Sequence, residues 1–124
     1  MELSQEVLKE MILLRERTPD VKGSVASTID GLPVACDLAA ESGDHVSALA
    51  AALLAMSRRM LVLAGRGELE ETLISGSAGY TVCYAAGPTI VLTVLAEPGA
   101  NLGLLRLEGR KAASAVAAVA AGKQ

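Results

Sequence analysis

DHVSALAAALLAMSRRMLVLA, residues 44–64, decides the fold. The stretch has no Gly or Pro and consists almost throughout of strong helix formers. Asp44 is placed to cap it by accepting a hydrogen bond from the free amides of the first turn, and Gly65 stands where helices most often stop. At about 100° per residue, Val46, Leu49, Leu53, Met56, Met60 and Leu63 fall on one broad face. The opposite side carries Ser47, Ala48, Ala51, Ala55 and Val62, with Arg58 and Arg59 as its charges. A helix apolar nearly all round is covered on both sides. One side is expected to lie on the chain's own sheet. The other, lined with small side chains that let backbones approach closely, is expected to meet another polypeptide.

Upstream of this helix the spacing predicts a helix over 3–17, with Leu3, Val7, Met11 and Leu14 as its apolar stripe. Thr18-Pro19-Asp20 ends it, because a residue before Pro is pushed out of the α region. Residues 21–29 alternate as a strand, with Val21, Val25 and Ile29 opposed to Lys22, Ser24, Ala26 and Thr28. Asp30-Gly31 predicts a two-residue hairpin turn into a return strand over 32–38, and 41–43 form a short polar loop.

Downstream, residues 68–75 read as an edge strand whose Glu68, Glu70 and Glu71 discourage uncontrolled pairing. Strands over 80–86 and 89–96 follow, separated by Gly87-Pro88. TIVLTVLA (89–96) is apolar on both faces and belongs at the centre of the sheet. Asn101 can cap a last helix through 121, with Arg106, Arg110 and Lys111 on its wet face. Short links between strands favour antiparallel pairing. The expected architecture is a three-layer α/β sandwich, a mostly antiparallel five-stranded sheet between helices, in one domain over 1–124.

Composition narrows the function. Apolar residues make up 52% of the 124, yet there are two Tyr and no Phe or Trp, so the core must be aliphatic. A net charge of −3, without a basic stripe or aromatic platform, argues against nucleic-acid binding. Cys36 and Cys83 sit in apolar alternating runs and read as small core residues, and the acidic N-terminal stretch is unlike a signal peptide. Residues 78–96 carry no charge, but Gly87-Pro88 divides them and the Tyr and Thr residues suit strands, so no membrane insertion is expected. The expected setting is cytoplasmic.

The ingredients of catalysis are sparse. The only His, His45, lies beside the start of the central helix, where an imidazole is an ordinary surface group. Cys36, His45 and Cys83 lack metal-ligand spacing, and no glycine-rich phosphate loop follows a strand. The three glutamates of 68–71 have nothing apolar beside them to raise a pKa. No enzyme activity, cofactor or metal is expected, and the scarcity of convergent polar groups argues against a small-ligand pocket.

The element order, the Asp30-Gly31-Leu32-Pro33-Val34 hairpin, the Ala/Leu-rich second helix and the Asn101-Leu102-Gly103-Leu104-Leu105-Arg106 helix start together resemble the Roadblock/dynein light chain 7 family, particularly its small stand-alone bacterial members. The resemblance covers nearly the whole chain. It implies a homodimer in which the strand over 68–75 pairs with its twofold mate, with the two second helices side by side on one face and the first and third helices on the other. The interface residues it implies are Ala48, Ala51, Ala55, Val62, Leu69, Glu71 and Leu73. It further implies binding and regulation of a small Ras-like GTPase, as an activator, an exchange partner or a scaffold, with Arg58 and Arg59 positioned to meet acidic residues of that partner. A structural adaptor dimer without direct GTPase regulation is the alternative. One feature sits awkwardly: Glu68, Glu70 and Glu71 would face their own copies, unless Arg66 lay opposite them.

Overall fold

Turn chemistry and strand alternation set the middle of the chain, and the helices close over the result. The computed structural model describes residues 2–37 and 43–122. Their order is α1 (Leu3–Arg17), β1 (Val21–Thr28), β2 (Pro33–Asp37), α2 (Gly43–Ala64), β3 (Glu71–Gly76), β4 (Gly79–Ala86), β5 (Ile90–Ala96) and α3 (Leu102–Ala121). The strands form one sheet in the order β2-β1-β5-β4-β3, and every neighbouring pair is antiparallel. The expected α/β class and element order hold.

α1 and α3 cover one face of the sheet, burying Met11, Tyr84, Leu92 and Leu105 in the main core. α2 lies on the other face, over a smaller cluster of Ala50, Leu54, Cys83 and Val91. β5 is central as its two apolar faces required, with Val91, Leu92 and Val94 fully buried. Thr18 is extended and ends α1 before Pro19. Asn101 caps α3, its side-chain oxygen accepting from the Leu104 N–H at 3.1 Å. A guanidinium–carboxylate pair ties α1 to β2: Arg15 Nε donates to Asp37 Oδ2 at 2.7 Å.

Several local expectations give way to tertiary facts. β1 has no solvent face beyond Lys22, because α1 packs on one side of it and α2 on the other; a register shift between Val21 and Gly23 breaks the alternation, and Ser24 and Ser27 are both buried. The β1–β2 turn is three residues long, not two: the Thr28 N–H donates to the Leu32 carbonyl across Ile29, Asp30 and Gly31. Gly31 supplies the positive φ (92°) that such a loop needs. The return strand begins at Pro33, and Leu38 and residues 41–42 lie outside the described residues. α2 begins at Gly43, so Asp44 is in its first turn, where its charge meets the helix dipole without being the cap. β3 begins at Glu71, since Gly65 and Gly67 both adopt positive φ and Leu69 tucks in as part of the smaller core. Cys83 is buried as expected, but Cys36 is exposed on the edge strand β2.

Candidate protein interface

α2 lies down on its small residues. Ser47, Ala50 and Leu54 are its buried positions. The close approach is possible because a loop glycine meets the helix: a Cβ on Gly31 would stand 3.3 Å from the Ala48 Cα. The large apolar side chains are therefore left out. Leu49, Met56, Met60 and Leu63 are 71%, 69%, 71% and 80% exposed. The side expected to lie on the sheet is thus largely uncovered, while of the opposite side Ser47 is buried and Ala48, Ala55 and Val62 are exposed.

Between α2 and strands β3–β5 runs an open groove of about 440 Å³, lined by Leu49, Leu53, Met56, Ile74 and Leu95 among others. Leu49 and Met56 form its helix wall, and Ile74 of the edge strand, 45% exposed, forms its outer lip. Leu73, on the other face of β3, is 40% exposed. Exposed apolar surface of this extent is uncommon on a single chain and is typical of contact sites. Among the described residues α2 is also the helix long and apolar enough to cross a membrane by length and composition; here it lies along the sheet.

β3 is held down at its first two residues, one on each face. The Thr72 hydroxyl donates to Ser57 Oγ of α2 at 2.8 Å. Glu71 points the other way, where its side chain is 8% exposed and is gripped by Arg106 and Arg110 of α3. Arg110 Nη2 also reaches Glu70 at 3.3 Å. Glu71 is thus no solvated charge, and Arg106 and Arg110 are not merely a wet face. Their i, i+4 spacing puts both guanidinia on one side of α3, the signal by which this clamp was legible. Beside it, burial pushes the Tyr84 phenol up to about 12, with Glu71 adding to the rise and Arg106 and Arg110 opposing it. Burial also raises the Cys83 thiol, against a contact with the Thr93 hydroxyl at 3.6 Å.

The residues expected at one interface fall into two groups. Leu69, Glu71 and Leu73 belong to β3 and its approach, at one margin of the sheet. Ala48 and Ala51 lie by Gly31, in the turn between β1 and β2 at the other margin. Ala48, Ala55 and Val62 are exposed, Arg58 half-buried and Arg59 exposed. Across the groove the neighbours of β3 are Leu49, Leu53 and Met56. His45 is exposed, and among the described residues no group of three or more His, Cys, Asp or Glu could hold a metal ion.

Comparison with known proteins agrees with this architecture. An uncharacterised protein of Methanocaldococcus jannaschii is 33% identical over 114 residues, which cover 91% of this chain and 99% of the relative. A Roadblock/LC7 domain from Streptomyces avermitilis superposes with a TM-score of 0.80 at 25% identity, covering 87% of this chain and 92% of that one. Myxococcus xanthus MglB has the same fold, with a TM-score of 0.87 at 18% identity over 98% of this chain and 92% of its own. An MglB solved in a tetrameric arrangement gives 0.89 at 19% identity, covering 100% and 94%. The Roadblock/LC7 domain model matches residues 7–96, from within α1 to the end of β5. The chain belongs to the Roadblock/LC7 family.

Proposed function

We propose that the protein is a non-catalytic, self-associating regulator that presents a paired-α2 platform to a small Ras-like GTPase. The observation that carries this reading is the co-location of an uncovered apolar stripe on α2, an open groove beside it and an unpaired strand edge, all on the same margin. A second copy joined at β3 would bring its own α2 to that groove, and Leu49, Leu53, Met56 and Met60 would then be shared between two helices. The flank carrying Ala48, Ala55, Arg59 and Val62 would stay outward, with Arg58 at its rim, as the surface on which a third polypeptide lands. Small side chains there admit a close approach, and the arginines supply attraction for an acidic partner. The family's established role and the MglB-like fold support the GTPase as that partner, and a cytoplasmic setting suits it.

Two measurements test the reading. Sedimentation is expected to give a dimer for the native chain and a folded monomer for the Leu49→Glu/Met56→Glu variant, since both side chains are exposed in the single chain and need no burial to fold. Arg58→Ala/Arg59→Ala is expected to keep the dimer and weaken binding to a Ras-like GTPase from the same genome, in one nucleotide state more than the other. A dimer that binds no such GTPase and leaves hydrolysis and exchange rates unchanged would leave only the adaptor role.

A further inference from the structure

We propose that the β3 joint has a single register, with Leu73 directly opposite its own copy on the twofold axis. This rests on the self-association proposed above and specifies how it is built.

The direction of every backbone group on β3 follows from one hydrogen bond at the far side of the sheet. The Ile29 N–H donates to the Thr89 carbonyl at 3.0 Å. Continuing that ladder, Ser27 faces Val91 and Val25 faces Thr93, so the odd-numbered residues of β5 turn their backbone groups toward β1. Antiparallel partners alternate between bonded and unbonded pairs. Ile90, Leu92 and Val94 therefore turn toward β4, where they meet Ala86, Tyr84 and Val82. Thr81 and Cys83 are left to turn toward β3, where they meet Ile74 and Thr72. What remains pointing away from the sheet is the backbone of Glu71, Leu73 and Ser75.

Two identical antiparallel strands are related by an axis perpendicular to the sheet, so residues directly opposite share a face and contribute alike. Bonded pairs across the joint must then link odd residues to odd residues. With Leu73 opposite itself, Glu71 meets Ser75 on both sides of the axis, and all three bonded pairs lie within β3. Each bonded pair exchanges two hydrogen bonds, for six in total. Centring on Ile74 leaves only the Leu73–Ser75 pairs, for four, and sends the next pair into Ser77 of the β3–β4 turn. Centring on Thr72 leaves only the Glu71–Leu73 pairs, again four, and sends the next into Leu69, outside the strand.

The same register removes the like-charge conflict. The two Glu71 residues stand four positions apart along the joint, about 13 Å at a rise of about 3.3 Å per residue, each already held by its own Arg106 and Arg110. On the α2 face Thr72 comes opposite Ile74 of the other copy, in an unbonded pair whose side chains are the closer kind.

The test uses that pair in chains whose exposed Cys36 is replaced by Ser. Thr72→Cys and Ile74→Cys proteins, mixed and allowed to exchange before oxidation, are expected to form a disulfide-linked dimer that neither forms alone. Cross-linking of Ile74→Cys alone, or of Thr72→Cys alone, would overturn the register while leaving the dimer standing. In the unmodified chain, hydrogen exchange at the Glu71, Leu73 and Ser75 amides should slow as concentration drives dimerisation, whereas Thr72 and Ile74 are already protected by β4. A sedimenting dimer in which those three amides stay fast overturns the β3 joint. A monomer at every concentration overturns the self-association itself.

Discussion

Tyr84 and Gly109 are fitted to each other. Tyr84 is 1% exposed beneath α3 and its hydroxyl donates to the Leu105 carbonyl at 3.3 Å. A Cβ on Gly109 would collide with the phenol oxygen and ring, so the helix rests on the tyrosine only because that side chain is missing. Gly109→Ala gains about 1 kcal/mol in helix propensity and overpacks a site walled by sheet and helix, at about 1–3 kcal/mol. Overpacking should win, and urea unfolding is expected to show a net loss of about 1 kcal/mol. The phenol also sets an alkaline limit. Its folded pKa of about 12 lies above the ordinary value of 10, so the folded chain keeps a proton that the unfolded chain gives up. Stability from this group is intact below about pH 10 and falls as the pH rises toward 12, by about 2–3 kcal/mol in all. Tyr84→Phe should flatten that fall, measured by denaturant unfolding across the alkaline range with tyrosinate absorbance followed in parallel.

β3 illustrates how an element with little core of its own is kept in place. Leu73 and Ile74 are both well exposed, and the strand is fixed by β4 on one edge and by Thr72 and Glu71 on its two faces. Glu71→Gln keeps the shape and removes the charge that both arginines answer. Because those arginines are half exposed, they can turn to water, and the cost should be about 1–2 kcal/mol, with β3 amides exchanging faster than those of β5. Helices and strands as such were legible in the sequence: a run of helix formers free of Gly and Pro, strict alternation and Gly-bearing turns name their own elements. The face on which α2 lies was not. Periodicity reports where apolar residues are, and α2 has them on every side, so the choice fell to the tight approach at Gly31, which only the assembled sheet creates. Glu71 was misjudged for a related reason. Its neighbours Glu68 and Glu70 made it look like part of a solvated run, whereas the strand starts at Glu71 and its alternation turns that one carboxylate toward α3.

At the level of the whole chain, the sheet order puts the two edge strands to very different use. β2 is tied to α1 by the Arg15–Asp37 pair, while β3 ends the sheet beside an uncovered groove. The surplus of apolar residues on α2 was legible. Its location in the fold was not: the β2-β1-β5-β4-β3 order leaves β3 at the margin, with Leu49 and Met56 rather than Ala48, Ala51 or Ala55 walling the groove beside it. The same order has a practical consequence. α1 and α3, the first and last helices, share one side of the sheet, and α2 has the other to itself. A reporter fused ahead of α1 or behind α3 would hang beneath the layer of strands, so bulky cargo at either extremity need not shade the face that carries α2.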